Sequence, residues 1–173
     1  MSENGRPILA LKLSGVDIGM ELLGWLSLIG IWVLVFLNFQ NLPDTIPIHF
    51  NAAGKADGFG SKWSILTLPI IASVLYVGMT ILNKFPHVFN YPTEAVTEEN
   101  ALKNYTMATR LIRVLKLTLV IIFGLIVFRT LQNINGTAEG LGVWFLPLTI
   151  GLIFIPITYY ILKSIRQSKT NVK

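Results

Sequence analysis

Long apolar runs alternate with short polar segments along this chain. Three of the runs contain no charged residue: Leu22–Phe39, Ser64–Asn83 and Leu141–Leu162. A helix rises 1.5 Å per residue, so each run covers roughly 27 Å or more, close to the hydrocarbon thickness of a bilayer. The pattern therefore predicts membrane spans at about 21–39, 63–83 and 141–163.

A further apolar run is bounded closely by charge. Only Leu117–Phe128 is free of charged residues, which is too short to cross a bilayer. It spans only if Lys116 and Arg129 extend to opposite interfaces, as long basic side chains do. We include this span at about 113–132. The expected fold is an all-α integral membrane protein, a bundle of four transmembrane helices within residues 21–163.

The rest of the chain divides around these spans. Residues 1–20 form an N-terminal segment, expected either to lie on the membrane surface or to be a disordered tail. Residues 40–62 form one loop and residues 84–112 a second, longer loop, with a tail at 164–173. The Thr97-Glu98-Glu99-Asn100 segment predicts a helix start, with Thr97 as the cap. One helix is expected from about Glu98 to about Ile134, extending well beyond the bilayer.

Composition agrees with a membrane protein and narrows the function. The chain is 53% hydrophobic and 13% charged, whereas a soluble domain carries about 25% charged residues. It has no cysteine, which excludes disulfides and thiolate chemistry. The net charge of +5 does not indicate nucleic-acid binding, because the basic residues flank the apolar runs and form no single patch.

The distribution of basic residues predicts the orientation. Two Lys or Arg residues precede the first span, five lie between the second and third, and four follow the last. The opposite side holds three: Lys55, Lys62 and Arg129. The positive-inside rule then places both termini in the cytoplasm and loop 40–62 outside. Arg110 and Arg113 are expected to face lipid head groups.

The outer loop carries most of the candidate chemistry. Thr45–Phe50 alternates apolar and polar residues and predicts a short extended segment, whereas Asn51–Gly54 and Asp57-Gly58 are turn signals. Ser61 is expected to cap the second helix. The candidate ligand or partner residues of this loop are listed here: Asp44, His49, Asn51, Lys55 and Asp57. Simple stabilisation of the loop is the competing interpretation for every one of them.

A metal site is a further alternative for this loop. His49, Asp44 and Asp57 supply one imidazole and two carboxylates, a donor set that metals accept. No other cofactor is expected. In the inner loop, Glu98, Glu99 and Asn100 are candidates for contact with a cytoplasmic protein. Glu98 and Glu99 do not form a catalytic acid pair, since adjacent helical residues point about 100° apart.

The outer loop resembles a known family. Leu42-Pro43-Asp44, Ile46-Pro47-Ile48-His49-Phe50-Asn51, Gly54 and Asp57-Gly58-Phe59-Gly60-Ser61-Lys62 are similar to the bacterial membrane family called domain of unknown function 1648. The inner segments Asn90-Tyr91-Pro92 and Thr97-Glu98-Glu99-Asn100 also resemble it, so the likeness covers roughly residues 20–110. The same domain begins the longer Sdp-type toxin immunity and signalling proteins. The resemblance implies a location in the bacterial inner membrane and a role in immunity or signalling, and it implies no catalytic residues.

Three functions remain open from the sequence. The first is a toxin-immunity or signalling protein that binds a peptide or partner through its outer loop, with membrane lipid as its surroundings. The second is an accessory subunit of a membrane transporter, and the third is a metal-dependent membrane enzyme. No Ser–His–Asp order, P-loop or HExxH motif is present, so no catalytic residue is assigned. The absence of charge inside three spans disfavours a stand-alone transporter.

Overall fold

The computed structural model describes residues 5–91 and 96–171, with side chains up to residue 166. Its helices and strands are α1 (Gly15–Phe39), β1 (Thr45–Phe50), β2 (Ala56–Ser61), α2 (Thr67–Leu82), α3 (Glu98–Ile134) and α4 (Phe145–Asn171). Two 3-10 helices, Lys62–Leu66 and Pro86–Val88, precede α2 and follow it.

Four helical segments are long and apolar enough to cross a membrane: Gly15–Phe39, Lys62–Leu82, Glu98–Ile134 and Phe145–Arg166. They confirm the prediction of a mostly helical multi-pass membrane protein. The all-α expectation is incomplete, because β1 and β2 form a two-stranded antiparallel sheet. The predicted bounds of the third helix, Glu98 to Ile134, are confirmed.

The long helix α3 is the centre of the bundle, with α1, α2 and α4 packed around it. The core joins Leu28, Ile31 and Val35 of α1 to Val120 and Val127 of α3. Other large apolar side chains of the helices point outward, where lipid would cover them. Burial inside the protein is therefore concentrated on α1, α2 and above all α3.

Helix α1 begins at Gly15, before the first predicted span. Ser14 and Asp17 form a capping box: the Ser14 backbone N–H donates to Asp17 Oδ2 at 2.8 Å, and the Asp17 N–H donates to Ser14 Oγ at 3.3 Å. Such a reciprocal cap satisfies two of the free N–H groups at a helix start. Because α1 begins at Gly15, Asp17 and Glu21 lie in its first turns, on the same helix as the first apolar run.

The N-terminal segment from Arg6 to Ser14 packs across α3, so the expectation of a disordered tail is wrong for these residues. The alternative, that the segment lies on the membrane surface, stays a prediction. Tyr105 donates to the Pro7 carbonyl at 3.0 Å, and Arg6 Nη1 donates to the Phe89 carbonyl at 2.7 Å. Tyr91 joins this small core, and burial raises the pKa of its hydroxyl. Residues 1–4 lie outside the described part of the chain.

The strands form a hairpin at the opposite end of the bundle. Thr45 lies opposite Ser61 and Ile46 opposite Gly60, with irregular pairing beside His49. The predicted extended segment Thr45–Phe50 is confirmed. The turn predicted at Asp57-Gly58 is wrong, because both residues lie within β2. We call this end of the molecule the hairpin end, and the end where α1 begins the terminus end.

Candidate functional site

Two buried residues of β1, Ile46 and Pro47, lie where the hairpin packs onto the bundle. Ile46 is only 1% exposed and belongs to the same apolar core as Val127 and Leu131 of α3. Ser61, predicted to cap the second helix, accepts a hydrogen bond from the Trp63 N–H at 3.4 Å and so begins the 3-10 turn before α2. These contacts fix the base of the hairpin against the helix ends.

The tip of the hairpin contacts the loop between α3 and α4. The Leu141 N–H donates to the Gly54 carbonyl at 2.7 Å. Gly54 has φ +75°, and a Cβ added there would lie 2.5 Å from the Gly142 carbonyl oxygen. Glycine is therefore required at Gly54 both by its backbone angle and by this close approach.

An open, mainly apolar cavity of about 360 Å³ lies between the hairpin and the helices. Five consecutive residues of β1 line it, from Ile46 to Phe50. The opposite wall consists of residues from the start of α2 and from α3: Ser64, Ile65, Thr67, Leu68, Ile126 and Thr130, with Leu141 beside them. Its size lies within the range of small-molecule and side-chain pockets, about 300–1,000 Å³.

His49 lies at the rim of this cavity and contacts Asp57. His49 Nδ1 lies 2.5 Å from Asp57 Oδ1, and the two side chains are 71% and 41% exposed. Gly58 faces His49 across the strands, where an added Cβ would lie 2.9 Å from His49 Cβ. The sheet thus brings His49 and Asp57 together although eight residues separate them.

The other predicted outer-loop residues have separate partners. Asp44 pairs with Lys62 at 3.0 Å, away from the His49–Asp57 contact, at the base of the hairpin. Asn51 Oδ1 accepts from the backbone N–H groups of Ala53 and Lys55, at 3.0 and 3.1 Å. The Asn51 side chain therefore stabilises the turn, as the competing interpretation predicts.

The three proposed metal ligands do not converge. Within residues 5–91 and 96–171, no group of three or more His, Cys, Asp or Glu side chains is placed to hold a metal ion. His49 and Asp57 supply two adjacent donors, and Asp44 is bound to Lys62. A metal at this site would need a further ligand from water or from another molecule.

The inner-loop candidates lie at the start of α3. Glu98 and Glu99 are exposed, and Asn100 Oδ1 accepts from the Thr97 N–H at 3.0 Å, which caps the helix. The exposure of the two glutamates is compatible with a protein contact. The role of Asn100 in the cap gives it a structural purpose of its own.

A second cluster of polar residues, which the sequence interpretation missed, lies at the terminus end. We call it the charge network, and its members are Asp17, Glu21, Arg110, Arg113 and Lys116. The carboxylates come from α1 and the basic side chains from α3. Arg113, which was expected with Arg110 to face lipid head groups, is only 6% exposed and contacts carboxylates of α1, so it does not lie on the outer surface of the bundle. Arg110 contacts Asp17 at 3.0 Å.

Lys116 is the most deeply buried member of the charge network, at 1% exposure. Its ammonium lies 2.6 Å from Glu21 Oε2 and 2.7 Å from Thr80 Oγ1. It also lies 4.5 Å from the centre of the Tyr76 ring, a cation–π distance. Tyr76 in turn donates to the Glu21 carbonyl at 3.0 Å. One lysine thereby connects α1, α2 and α3.

A signal for the charge network was present in the sequence. Asp17 and Glu21 continue the buried stripe of α1, at the spacing that leads on to Gly24, Leu28 and Ile31. Three basic residues at intervals of three follow on α3: Arg110, Arg113 and Lys116. The first apolar run was chosen because it contains no charged residue. Asp17 and Glu21 were therefore left outside it, although both belong to α1.

Comparisons with known proteins find similarity for part of this chain. Residues 26–72, which include the end of α1, the hairpin and the start of α2, match the family model described as domain of unknown function DUF1648. An uncharacterized protein of Archaeoglobus fulgidus is 37% identical over 87 residues. That match covers 44% of this chain and 47% of the relative, so it spans about half of the relative's length. No solved structure matches.

Proposed function

We propose that this multi-pass membrane protein, which carries the DUF1648 segment, binds an extended peptide at its hairpin end. The main observation behind this proposal is the cavity of about 360 Å³. Five consecutive residues of β1, from Ile46 to Phe50, line it. A groove that follows a strand matches the shape of an extended chain better than that of a compact ligand. The peptide would lie beside β1 and insert one apolar side chain between Ile126 and Leu68.

The outer edge of β1 supports this mode of binding. In the described part of the chain, β1 pairs with β2 alone, so its other edge has no strand partner. Exposed strand edges accept an added strand through backbone hydrogen bonds, with pockets for alternate side chains giving specificity. Pro47 lacks an N–H, which limits the number of backbone bonds and shifts the selectivity toward the pocket.

The rim of the cavity supplies a polar contact. The side chains of His49 and Asp57 are 71% and 41% exposed and contact each other, so a ligand can approach both. Because Nδ1 donates to the Asp57 carboxylate, Nε2 of the neutral imidazole and the remaining carboxylate lone pairs offer acceptors to the N–H groups of a peptide. Apolar insertion then provides affinity, and His49 and Asp57 provide orientation.

Sensing or immunity toward a peptide toxin is the biological role that we propose for this binding. The excess of basic residues beside the termini supports cytoplasmic termini and an outward-facing hairpin, in a bacterial inner membrane. Ile46 packs against α3 near Val127 and Leu131, and this 37-residue helix begins at Glu98 at its other end. Occupation of the groove would therefore be transmitted along α3 to a partner of those exposed glutamates.

One observation favours a second function, that of an accessory subunit of a membrane transporter. No residue in the apolar window of α4 is buried inside the protein. A helix packed mainly on α3 leaves much of its surface for another membrane protein as well as for lipid. Co-purification of a permease or an ATPase with the wild-type chain, and its loss on changing exposed α4 residues such as Ile155, would support this alternative.

The peptide proposal is tested by selection of random decapeptides on the protein in nanodiscs. We expect enriched peptides to share one apolar residue at a fixed position, with binding reduced about tenfold or more when it is replaced by Asp, because burying such a side chain contributes about 1.5–3 kcal/mol. Ile126→Trp fills the cavity and should abolish enrichment. Phe128→Trp, at an exposed position on the same helix, is the matched control.

The same selection can refute the proposal. Identical enrichment on the wild type and on Ile126→Trp would show that the cavity does not bind the peptides. His49→Ala should weaken the selected peptides without removing the apolar preference, because His49 lies at the rim. Metal content measured on the wild type and on His49→Ala decides the remaining metal interpretation: stoichiometric metal that disappears with His49 would support it.

A further inference from the structure

A second cavity, of about 340 Å³, lies at the terminus end, beside the charge network. One wall is the N-terminal segment, with Leu9, Leu11 and Leu13. The facing wall comes from the end of α2, with Thr80, Asn83 and Lys84. Arg113 and Glu21 form the floor. The cavity therefore combines an apolar side with a polar side that carries two basic residues and one acidic residue.

Arg113 is a buried cation with unused donors at this cavity. The residue is only 6% exposed, and its Nε donates to Glu21 Oε1 at 3.2 Å. Its nearest further carboxylate is Asp17, whose Oδ1 lies 3.8 Å from Nη1, beyond hydrogen-bond distance. Among residues 5–91 and 96–171, the two Nη groups of Arg113 donate no hydrogen bond. A guanidinium in this state presents a fork suited to two oxygens of one anion.

The charges around the cavity do not balance. Two carboxylates, Asp17 and Glu21, face the three basic side chains of the charge network. Lys84 adds a further positive charge at the cavity wall, and it makes no ion pair in the part of the chain that the structure describes. Glu21 does not repel an anion strongly here, because Lys116 and Arg113 both neutralise it. Lys84 and Arg110 are exposed, so the surplus of positive charge lies on the accessible side of the cavity and the network, where it favours the approach of an anion.

Asn83 lines the same cavity and has one side-chain atom without a hydrogen-bond partner. Its Nδ2 donates to the Thr109 carbonyl at 3.3 Å, whereas its Oδ1 is buried and accepts no hydrogen bond. Buried acceptors in native proteins nearly always have a donor. A ligand that carries a hydroxyl group next to its anionic group would satisfy Asn83 and Arg113 together.

We propose that this cavity binds the phosphate of a hydroxyl-bearing anionic lipid head group, held by Arg113 and Lys84. The apolar window of α2 ends at Leu82, which places Asn83 and Lys84 at the level of the head groups. The leucines of the N-terminal segment supply an apolar wall for the glycerol backbone and the first acyl carbons. Basic pockets between membrane helices are known to accept anionic head groups. Free phosphate shares the recognition chemistry, so the test separates the two sources.

The test uses the full chain and native mass spectrometry of retained lipid. Wild type, Lys84→Ala and Lys103→Ala are transferred from nanodiscs of phosphatidylcholine with phosphatidylglycerol into the same detergent. Lys103 is exposed on α3 and lines neither cavity described here, so Lys103→Ala is a matched loss of one charge. We expect one phosphatidylglycerol on the wild type and on Lys103→Ala, with about fivefold less on Lys84→Ala, because one interfacial lysine contributes about 1 kcal/mol.

Each outcome has a defined meaning. Retention reduced by Lys84→Ala alone, together with no stabilisation of delipidated protein by inorganic phosphate, supports the lipid. Stabilisation by inorganic phosphate, lost in Lys84→Ala, with no lipid retained, supports the phosphate site and overturns the lipid source. Equal retention by all three proteins, or no retention and no effect of phosphate, overturns the proposal. Arg113→Lys, which keeps the charge and removes the fork, should retain less lipid than the wild type.

Discussion

The two ends of this molecule use the same kinds of charged side chain in opposite ways. At the hairpin end, Asp44 pairs with Lys62 while its side chain stays 95% exposed. At the terminus end, Glu21 pairs with Lys116, whose side chain is 1% exposed. An exposed pair contributes about 0–1 kcal/mol, whereas removal of one partner from a buried pair costs about 3–5 kcal/mol. The ion pairs at the terminus end therefore hold their helices together firmly. The exposed pair at the hairpin end can be exchanged for contacts with another molecule.

The two ends therefore differ in how firmly their elements are held against the bundle. The charge network connects α1 and α3, and through Thr80 and Tyr76 it also holds α2. The hairpin rests on the bundle through Ile46 and through the contact between Gly54 and Leu141. A ligand at the hairpin end would thus act on a lightly held element, against a bundle that stays fixed at its other end.

The largest expected effect is that of Lys116→Met. The change leaves Glu21 without its closest cation and removes the hydrogen bond to Thr80, so we expect a loss of about 3–5 kcal/mol in the free energy of unfolding. Unfolding in increasing SDS, measured from reconstituted protein, gives this value. Lys103→Met is the control, because Lys103 is exposed on the same helix. An equal loss of unfolding free energy in both variants would show that Lys116 contributes no more to stability than an exposed lysine of the same helix.

A smaller effect is expected where α1 and α2 approach most closely. A Cβ at Gly24 would fall on the Tyr76 hydroxyl, which also orients Glu21. Gly24→Ala should therefore destabilise the protein by about 1–3 kcal/mol through overpacking. Gly30 lies on the same helix and an added Cβ there meets nothing within 4 Å. Gly30→Ala should be neutral or slightly stabilising, and destabilisation of similar size by both changes would refute the role of the close approach.

The hairpin end offers a matched pair of glycines for a still smaller effect. Gly54 and Gly136 have similar positive φ angles, +75° and +71°, but only Gly54 approaches another backbone segment. Alanine is strained to a similar extent at both positions, because both have a positive φ angle. The further loss in Gly54→Ala should be about 1 kcal/mol, from the weakened bond between the Leu141 N–H and the Gly54 carbonyl. Proteolysis of the hairpin should also be faster in Gly54→Ala, and equal rates would contradict the contact.

Sequence reasoning succeeded where one local signal determined the structure. Thr97 followed by Glu98 and Glu99 fixed the start of α3, and the alternating apolar residues of Thr45–Phe50 predicted β1. Four long apolar segments were also sufficient to predict the membrane bundle. These features depend on residues close together in the chain, so local chemistry was enough.

The remaining features depend on contacts between distant segments. Asp57-Gly58 has the composition of a turn, and only pairing with His49 and its neighbours makes it a strand. Asp17 and Glu21 looked like the polar border of a span, because nothing local shows that Arg113 and Lys116 approach them from another helix. The N-terminal segment likewise gains its structure from Tyr105 and Phe89, far along the chain.

Double-mutant cycles on the two ion pairs test the difference between the ends most directly. The cycles combine Glu21→Gln with Lys116→Met at the terminus end, and Asp44→Asn with Lys62→Met at the hairpin end. SDS unfolding should give a coupling energy of about 2 kcal/mol or more for the buried pair and less than about 0.5 kcal/mol for the exposed pair. Equal coupling energies at the two ends, or the larger one at Asp44 and Lys62, would contradict this account.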